Sequence, residues 1–462
     1  MTAGWIFASL VVPWAAGAGL VYHASDRYRS WLLTAGAGWL AGQMMVSLLL
    51  GAALFLTGSS QARYLLVGLA VLGGVLWWRI VVNTLRRREQ ARRLSDGDGT
   101  DKPRSPSLHP ACGVLLAVIA ASLTLKLGTL MVSHALSPIR SDDAISIWLF
   151  KAKVVAGLDT LIVDEADPYY LGGSNPRYPL AVPLMAAWTP LVTGHWDEQQ
   201  ATWPWLGFYV SLILLVAGGL RRWLTPSTGW VVAYIVASLP LMVVHAYRPG
   251  YADLPMAALL AATVLYLLTW RTTHLFRHLA LAALFAVGAA CTKREAPLIV
   301  GAAVFVILMA SWRNLVALET RLRVALLGLM VVSVILVSAV VNVADVSDSV
   351  RSFTYNAEVW SSLGRHLLAW SSFGFLFYGL AVAGLLVLCH PMAVGHRWPA
   401  LLLLLSLFAL DACAFLFTPQ ARFALNDQTP SRLFLQSIPA VILALAIPFG
   451  AMLENGSHPP RR

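Results

Sequence analysis

Charged residues are scarce in this sequence. Only 12% of its 462 residues are Asp, Glu, Lys or Arg, while 58% are hydrophobic. An ordinary soluble domain contains about 25% charged residues. Apolar runs of about 20 residues recur along the chain, and this is the length that a helix needs to cross a bilayer core. The composition therefore excludes a soluble globular protein and predicts an all-α polytopic membrane protein.

Cysteine is scarce as well, and internal repeats are not evident. Cys112, Cys291, Cys389 and Cys413 each stand alone in apolar surroundings. The absence of any C-x-x-C pair argues against a disulfide framework and a thiolate metal site.

The net charge of the chain is +11. In a soluble protein this charge would suggest a nucleic-acid partner. Here an excess of Lys and Arg in cytoplasmic loops explains it better, and we expect no nucleic-acid partner.

The apolar runs predict about thirteen transmembrane helices in four regions of chain. We expect an N-terminal three-span addition at 1–84, a basic cytoplasmic linker at 85–110, a main transmembrane region at 111–452 and a cytoplasmic tail at 453–462. Leu180–Thr193 is short and contains Pro183 and Pro190, so we expect a re-entrant or interfacial helix there. The predicted spans are 4–22, 31–57, 64–83, 111–133, 203–219, 228–246, 251–270, 279–292, 297–312, 323–343, 373–390, 398–418 and 433–452.

The basic linker sets the predicted orientation. Residues 85–107 contain seven Lys or Arg, and positively charged loops remain in the cytoplasm. Their Gly, Ser, Pro and charged composition predicts a flexible segment. Alternating the spans from this point places the loop at 133–180 on the extracytoplasmic side. We therefore expect a protein of a bacterial-type cytoplasmic membrane, with its active site facing the periplasm or cell exterior.

The loop at 133–180 contains the polar chemistry of the chain. It includes six of the 22 acidic residues, and a polar loop of this length does not fit in lipid. Asp142 and Asp143 follow the fourth span directly. Either carboxylate is suited to a general base, although Asp is also common at a helix N-cap. We predict that this loop forms the roof of an active site.

Several cations lie on the side that the orientation rule disfavours. Fixed positive charge and N–H donors are what a phosphate or diphosphate head group requires. Binding of anionic lipid heads, or pairing with nearby acids, is the alternative explanation. The predicted donor phosphate-binding residues are Lys293, Arg294, Arg432, Arg177 and Arg248.

A second set of residues is predicted to complete the site. Asp253 lies at the external mouth of a span and could assist the acceptor or a metal, or simply cap the helix that Pro255 starts. Tyr178, Trp148 and Tyr251 are candidate substrate contacts, although aromatic residues also anchor helices at the membrane interface. Lone histidines such as His134 and His245 are more often satisfied interfacial residues than metal ligands.

Five motifs in order resemble the GT-C superfamily of integral-membrane glycosyltransferases. The resemblance covers roughly residues 111–452 and is greatest to the branch containing protein O-mannosyltransferases and the lipid A aminoarabinose transferase. The motifs are S-D-D-A-I-S-I-W-L-F-K-A-K, N-P-R-Y-P-L-A-V-P-L, R-P-G-Y-A-D-L-P-M-A, T-K-R-E-A-P and S-R-L-F-L-Q-S-I-P.

The resemblance implies roles for individual residues. Asp143 matches the catalytic Asp best, with Asp142 as the alternative, and Asp253 matches a second Asp. Lys293 and Glu295 match a Lys-x-Glu element, from which Glu295 is a predicted substrate-binding residue. Arg432 matches a late Arg. Where the family often has His-Pro-Pro, this chain has Asn-Pro-Arg-Tyr-Pro at 175–179. This chain therefore lacks the His of the family motif. A divalent metal is possible, but no ligand spacing in the sequence indicates one.

The predicted reaction is transfer of a sugar from a polyprenyl-phosphate donor to a glycan, lipid or protein acceptor. The resemblance implies inversion at the anomeric carbon, and the surrounding partners are membrane lipids. A lipid or glycan transporter is the main alternative, since it would share the spans and basic patches. Transporters commonly have paired halves and broken mid-membrane helices. A non-catalytic assembly subunit is a third reading.

Overall fold

The computed structural model describes residues 2–25, 30–95, 110–311, 354–369, 372–389, 394–426 and 430–455. Within these ranges the regular structure is entirely helical. The all-α prediction is therefore confirmed for the described part of the chain.

Four long helices begin the chain. Their bounds are α1 Thr2–Ala24, α2 Trp31–Thr57, α3 Ala62–Ser95 and α4 Pro110–Leu136. Helix α3 continues beyond the predicted span to Ser95. The first part of the segment expected to be a flexible linker is thus helical, because Leu85–Ser95 has many helix-favouring residues such as Leu, Arg, Glu, Gln and Ala. The rest of that linker prediction lies outside the described residues.

The polar loop after α4 contains short helical elements. A π-helical turn at Ala144–Trp148 leads into α5 Leu149–Leu158, and a 3₁₀ turn covers Tyr170–Gly172. Helix α6, Ala181–Thr193, then coincides with the segment predicted to be re-entrant or interfacial. It is short, and nearly all its residues are buried in protein.

The central part of the bundle contains six helices. They are α7 Glu198–Gly219, α8 Pro226–Ala237, α9 Pro240–Tyr247, α10 Asp253–Thr273, α11 Phe276–Ala290 and α12 Ala296–Met309. Every residue from Asp253 to Trp270 is buried. Helix α10 is therefore the central helix, and its N-terminus lies at the middle of one end of the bundle.

The remaining described helices complete the core around α10. They are α13 Val359–Gly364, followed by a π-helical turn Arg365–Ala369, α14 Leu376–Cys389, α15 Val394–Phe417, α16 Ala421–Leu425 and α17 Pro430–Asn455. Helix α17 packs against α10. Its first turn lies at the same end of the bundle as Asp253, since Arg432 contacts that residue.

Eight helices of the described chain are long and apolar enough to cross a membrane, or nine if α8 and α9 form one bent span. Helices α11, α12 and α14 match predicted spans but have only 15, 14 and 14 residues. The predicted span at 323–343 lies outside the described residues. The total of about thirteen helices therefore stays a prediction.

The first three helices pack directly against the rest of the protein. A Cβ on Gly38 would lie 2.6 Å from Ala18 Cα, so α1 and α2 approach closely because Gly lacks a side chain. Ser211 in α7 donates a hydrogen bond to Gly36 O in α2. The three helices are thus part of the same packed bundle as the later spans.

Contacts to the first three helices hold α6 at one end of the bundle. Trp188 Nε1 donates to Ser9 O at 2.8 Å, near the start of α1. Arg63 Nε, at the start of α3, donates to Val192 O at 3.1 Å. Both contacts lie near the end from which α1 and α3 begin. Helix α6 therefore stays at that end, beneath the polar loop that precedes it.

The α8–α9 pair is bent by 67°. Pro240 begins the second helix and lacks an N–H, so the helical hydrogen bonds are interrupted. Neighbouring elements satisfy polar groups at the break: Lys126 Nζ donates to Ser238 Oγ at 2.7 Å, and Tyr209 OH donates to Ala237 O at 2.6 Å. Lys126 lies within α4, where a lysine side chain often extends outward to the membrane interface. It instead binds the broken helix, because an ammonium within the membrane needs an acceptor.

The close approach of α1 and α2 can be tested with paired glycine variants. A Cβ at Gly42 would overlap Pro13 O, whereas Gly74 has no atom within 4 Å of an added Cβ. We expect Gly42→Ala to lower the free energy of unfolding by about 1–3 kcal/mol, because overpacking forces the helices apart. Gly74→Ala should be neutral or slightly stabilising, since Ala favours helix. Thermal unfolding in detergent measures both; equal effects would contradict this packing.

Candidate active site

Four separate parts of the chain meet at the N-terminal end of α10. Asp143 comes from the segment after α4, and Asp253 is the first residue of α10. Lys293 lies in the short connection between α11 and α12, and Arg432 lies in the first turn of α17. These residues are far apart in sequence. They come together because alternate helix ends lie at the same end of the bundle.

Asp253 is the centre of this group. Its side chain is fully buried and accepts three hydrogen bonds from charged or polar side chains. Lys293 Nζ donates to Oδ1 at 3.0 Å, Gln436 Nε2 donates to Oδ1 at 2.7 Å, and Arg432 Nη2 donates to Oδ2 at 2.9 Å. His245 Nδ1 lies 3.9 Å from Oδ2. A buried carboxylate requires such partners to offset the loss of hydration.

The position of Asp253 follows from the local backbone. The first turn of a helix favours a negative charge, because the N–H groups there are unpaired. Its carboxylate does not cap the helix, so the capping alternative is not realised. Gly250 precedes it at φ +104°, and a Cβ there would overlap Ala144. The glycine lets the turn before α10 pack against the segment that holds Asp143.

Arg432 joins the two candidate carboxylates. Its Nη2 donates to Asp143 Oδ2 at 2.7 Å and to Asp253 Oδ2 at 2.9 Å. The guanidinium carbon also lies 4.4 Å from the centre of the Tyr251 ring, a cation–π distance. Gln436 is four residues after Arg432 on α17, so both side chains project from one helix face. Sequence reasoning missed Gln436, although this spacing was available to indicate it.

Lys293 binds two carboxylates. Besides Asp253 it contacts Glu295 Oε1 at 2.7 Å. Burial alone would lower the pKa of Lys293, but the Asp253 and Glu295 carboxylates outweigh burial and raise that pKa above its ordinary value. The ammonium therefore stays charged. The predicted Lys-x-Glu element is thus an ion pair that anchors the connection between α11 and α12 to α10.

Tyr178 lies beside the same charged group. Burial raises the pKa of its hydroxyl, and the Glu295 and Asp143 carboxylates add to that effect while Lys293 and Arg294 oppose it. Trp148 packs edge-on against Tyr178 at 5.2 Å between ring centres. Trp148 is only 1% exposed, so it supports the Tyr178 ring from within the core and offers almost no surface of its own.

Carboxylates outnumber cations in this group. We define the ion-pair cluster as two cations and three carboxylates: Lys293, Arg432, Asp143, Asp253 and Glu295. Its formal charge is −1, so the cluster has no surplus positive charge for an anion. Three buried polar atoms around Asp253 nevertheless have no hydrogen-bond partner in the described chain, namely His245 Nδ1, Arg432 Nε and Gln436 Oε1.

The other predicted residues lie outside the ion-pair cluster. Asp142 is exposed, and its carbonyl oxygen accepts a hydrogen bond from Ser146 Oγ at 2.7 Å. Arg177 is exposed on the loop beside Tyr178, and Arg248 is exposed on the wall of a separate cavity. Across the described ranges, no three His, Cys, Asp or Glu side chains form a group that could hold a metal.

Lys151 shapes the loop above the cluster and was not predicted to do so. Its side chain is fully buried, and Nζ donates to Leu171 O at 2.8 Å. Leu171 has a left-handed φ of +46°, so the loop bends around the lysine. Burial lowers the pKa of Lys151 to about 8. The loop at 169–173 is therefore fixed by the hydrogen bond from a buried amine.

Asp253→Asn should destabilise the protein by about 3–5 kcal/mol, because it leaves Lys293 and Arg432 buried without their shared carboxylate. Thermal unfolding in detergent measures the effect. Asp142→Asn is the matched control, since Asp142 is exposed and forms no ion pair with the described residues. An Asp253→Asn protein that unfolds at the wild-type temperature would show that the cluster does not stabilise this end of the bundle.

Lys151 gives the protein a pH-dependent stability. Its ordinary pKa is 10.5 and its folded value is about 8, so between these values the unfolded chain binds more protons. The free energy of unfolding should therefore rise as the pH increases from about 8 to about 10.5. Lys151→Met should remove this rise, whereas Lys153→Met, at an exposed site, should keep it. Identical pH profiles for wild type and Lys151→Met would contradict the burial of a titrating amine.

Comparison with protein-family models, with curated proteins and with solved structures finds no match for this chain.

Proposed function

We propose that this protein is a membrane glycosyltransferase that moves a sugar from a polyprenyl-phosphate donor to an acceptor on the extracytoplasmic face. The observation that carries the proposal is the bridge from Asp143 through Arg432 to Asp253. It places one partly exposed carboxylate at the end of the bundle and holds it by a buried set of charges. The five sequence motifs that resemble the GT-C superfamily supply the reaction class.

Asp143 is the proposed general base. Its side chain is 37% exposed, and only Oδ2 contacts Arg432. Oδ1 is therefore available to an acceptor hydroxyl. In the reaction, Asp143 takes the hydroxyl proton while the hydroxyl oxygen attacks the anomeric carbon. The bond between that carbon and the phosphate oxygen breaks, and the lipid phosphate leaves with the electron pair, which inverts the anomeric centre.

Asp253 is assigned a positioning role in this proposal, in place of the acceptor or metal role expected from the sequence. Both of its oxygens accept hydrogen bonds from cations or an amide, and its side chain has no exposed surface. It fixes Arg432, and Arg432 fixes Asp143. Lys293, Gln436 and Glu295 belong to the same support, since they hold Asp253 in one geometry.

Tyr178 and Tyr251 are the proposed aromatic residues of the site. Tyr251 lies against the Arg432 guanidinium and 5.0 Å from the His245 ring, and its carbonyl oxygen accepts a hydrogen bond from Trp205 Nε1 at 2.7 Å. Tyr178 is half-buried, with its hydroxyl in the field of Asp143 and Glu295. That hydroxyl is suited to donate a hydrogen bond to a sugar oxygen next to the base.

A transporter is the second candidate function, and one observation favours it. The α8–α9 pair is a broken helix, which transporters commonly use to form substrate sites. The contacts of Lys126 and Tyr209 at the break fill it with protein groups, which fits a fixed scaffold better. Movement of labelled lipid across vesicles without a new glycosidic bond would favour the transporter.

The base assignment is tested with purified protein in vesicles, a labelled polyprenyl-phosphate sugar and a membrane extract as the acceptor source. Asp143→Asn should lower the transfer rate by roughly 10²–10⁴-fold, because no carboxylate then takes the proton. Glu165→Gln, an exposed change in the same loop, is the control and should transfer at the wild-type rate.

Asp142→Asn tests the neighbouring carboxylate, Asp142, as the alternative base. Because Asp142 makes no ion pair with the described residues and faces outward, we expect it to retain activity. Full activity in Asp143→Asn, with the unfolding temperature unchanged, would remove Asp143 as the base.

A further inference from the structure

A cavity lies between the end of α4, the end of α9 and the start of α7. Its volume is about 260 Å³. Sites for drug-sized ligands are roughly 300–1,000 Å³, so this cavity fits a head group rather than a whole lipid. The residues that line it include His134, Arg140, Glu198, Thr202, Tyr247 and Arg248.

The two arginines of this cavity differ from the cations of the ion-pair cluster. Arg140 and Arg248 are exposed, and neither forms an ion pair with a carboxylate of the described chain. Glu198 also lines the cavity but contacts neither of them as a salt bridge. The formal charge of these three side chains is +1, whereas that of the cluster is −1. The guanidinium groups of Arg140 and Arg248 are therefore available in the cavity, whereas that of Arg432 binds two carboxylates.

The cavity walls are held in place by contacts between α4 and α9. His134 Nε2 is 2.8 Å from Ala246 O, and the imidazole is 3% exposed. Tyr247 OH donates to Thr129 Oγ1. These bonds join the two elements that precede Arg140 and Arg248. A site whose walls are fixed before binding loses less entropy when a ligand enters.

The end of α4 forms one wall of the cavity, and most of the apolar surface of this helix is exposed. Only 17% of its most apolar stretch is buried in protein, and its exposed side chains include Val118, Leu125 and Val132. A lipid chain can lie along that surface while its head group enters the cavity at the end of the helix. Free phosphate would gain nothing from this apolar surface.

We propose that Arg140 and Arg248 bind the phosphate group of a membrane lipid in this cavity. Arg is suited to this task because its planar N–H groups match two phosphate oxygens at once. The identification of that lipid as the sugar donor rests on the proposed function. Arg140 is three residues before Asp143, and Arg248 is five residues before Asp253, so the same two segments carry the phosphate site and the proposed catalytic group.

This assignment divides the five cations expected to bind donor phosphate. Lys293 and Arg432 hold carboxylates, and Arg248 is the member of that group that lines the cavity. Arg140 joins it, although it was not among those five. The phosphate would then leave the reaction beside guanidinium groups that stabilise its negative charge.

The test measures equilibrium binding of labelled polyprenyl monophosphate to the full chain in phosphatidylcholine nanodiscs. The double variant Arg140→Gln/Arg248→Gln should weaken binding on the order of 100-fold, since each charge-assisted contact contributes about tenfold. Lys153→Gln, an exposed cation of the same loop, should bind as wild type. Both arginines are exposed, so the double variant should also unfold at the wild-type temperature.

Competitors identify the ligand. Polyprenol, which lacks phosphate, and inorganic phosphate, which lacks the chain, should compete far more weakly than unlabelled polyprenyl monophosphate. Unchanged binding in the double variant, or an equal loss in Lys153→Gln, would overturn the site. Equal competition by phosphatidylglycerol would overturn its assignment to the sugar donor.

Sugar transfer separates this proposal from the function on which it rests. Wild-type protein that binds the lipid phosphate at these arginines but transfers no sugar would refute the glycosyltransferase and leave the phosphate site standing. Transfer that persists unchanged in Arg140→Gln/Arg248→Gln would refute the phosphate site and leave the glycosyltransferase standing.

Discussion

The buried carboxylate of Asp253 is the constraint on which this end of the protein depends. A negative charge without exposed surface must have compensating donors, and here two elements supply them. Lys293 comes from the connection between α11 and α12, while Arg432 and Gln436 come from α17. Because these contacts converge on the first residue of the central helix, they fix helix ends relative to one another. Asp143 is then positioned as an extension of the same network, through Arg432.

Much of the fold could be predicted from the sequence, because hydrophobic length alone identifies membrane helices. The all-helical class, the short helix at Ala181–Thr193 and the ends of most long helices follow from apolar runs and their polar boundaries. The extension of α3 to Ser95 was missed. Charge and low hydrophobicity describe the solvent preference of a segment, and they do not prevent Arg, Glu and Leu from continuing a helix.

The members of the candidate site were partly predictable, but their pairings were not. Asp143, Asp253, Lys293, Glu295 and Arg432 were each selected as charged residues at span ends. Sequence does not contain the distances between helices, so it could not show that Arg432 contacts both aspartates. Gln436 and Lys151 were missed for a related reason: a neutral amide and a lysine in a polar loop attract attention only when their burial is known.

Arginines and lysines that look alike in the sequence fall into two classes, buried and exposed. A cation withdrawn from water stays charged most readily beside a carboxylate. Without one, as at Lys151, burial lowers the pKa of the amine. Lys293 is therefore committed to holding the protein together. An exposed cation such as Arg140 or Arg248 remains hydrated and can exchange water for an anionic ligand. Where a membrane protein concentrates cations on one face, those without carboxylate partners are the better candidates for phosphate binding, and the paired ones are the better candidates for shaping the site.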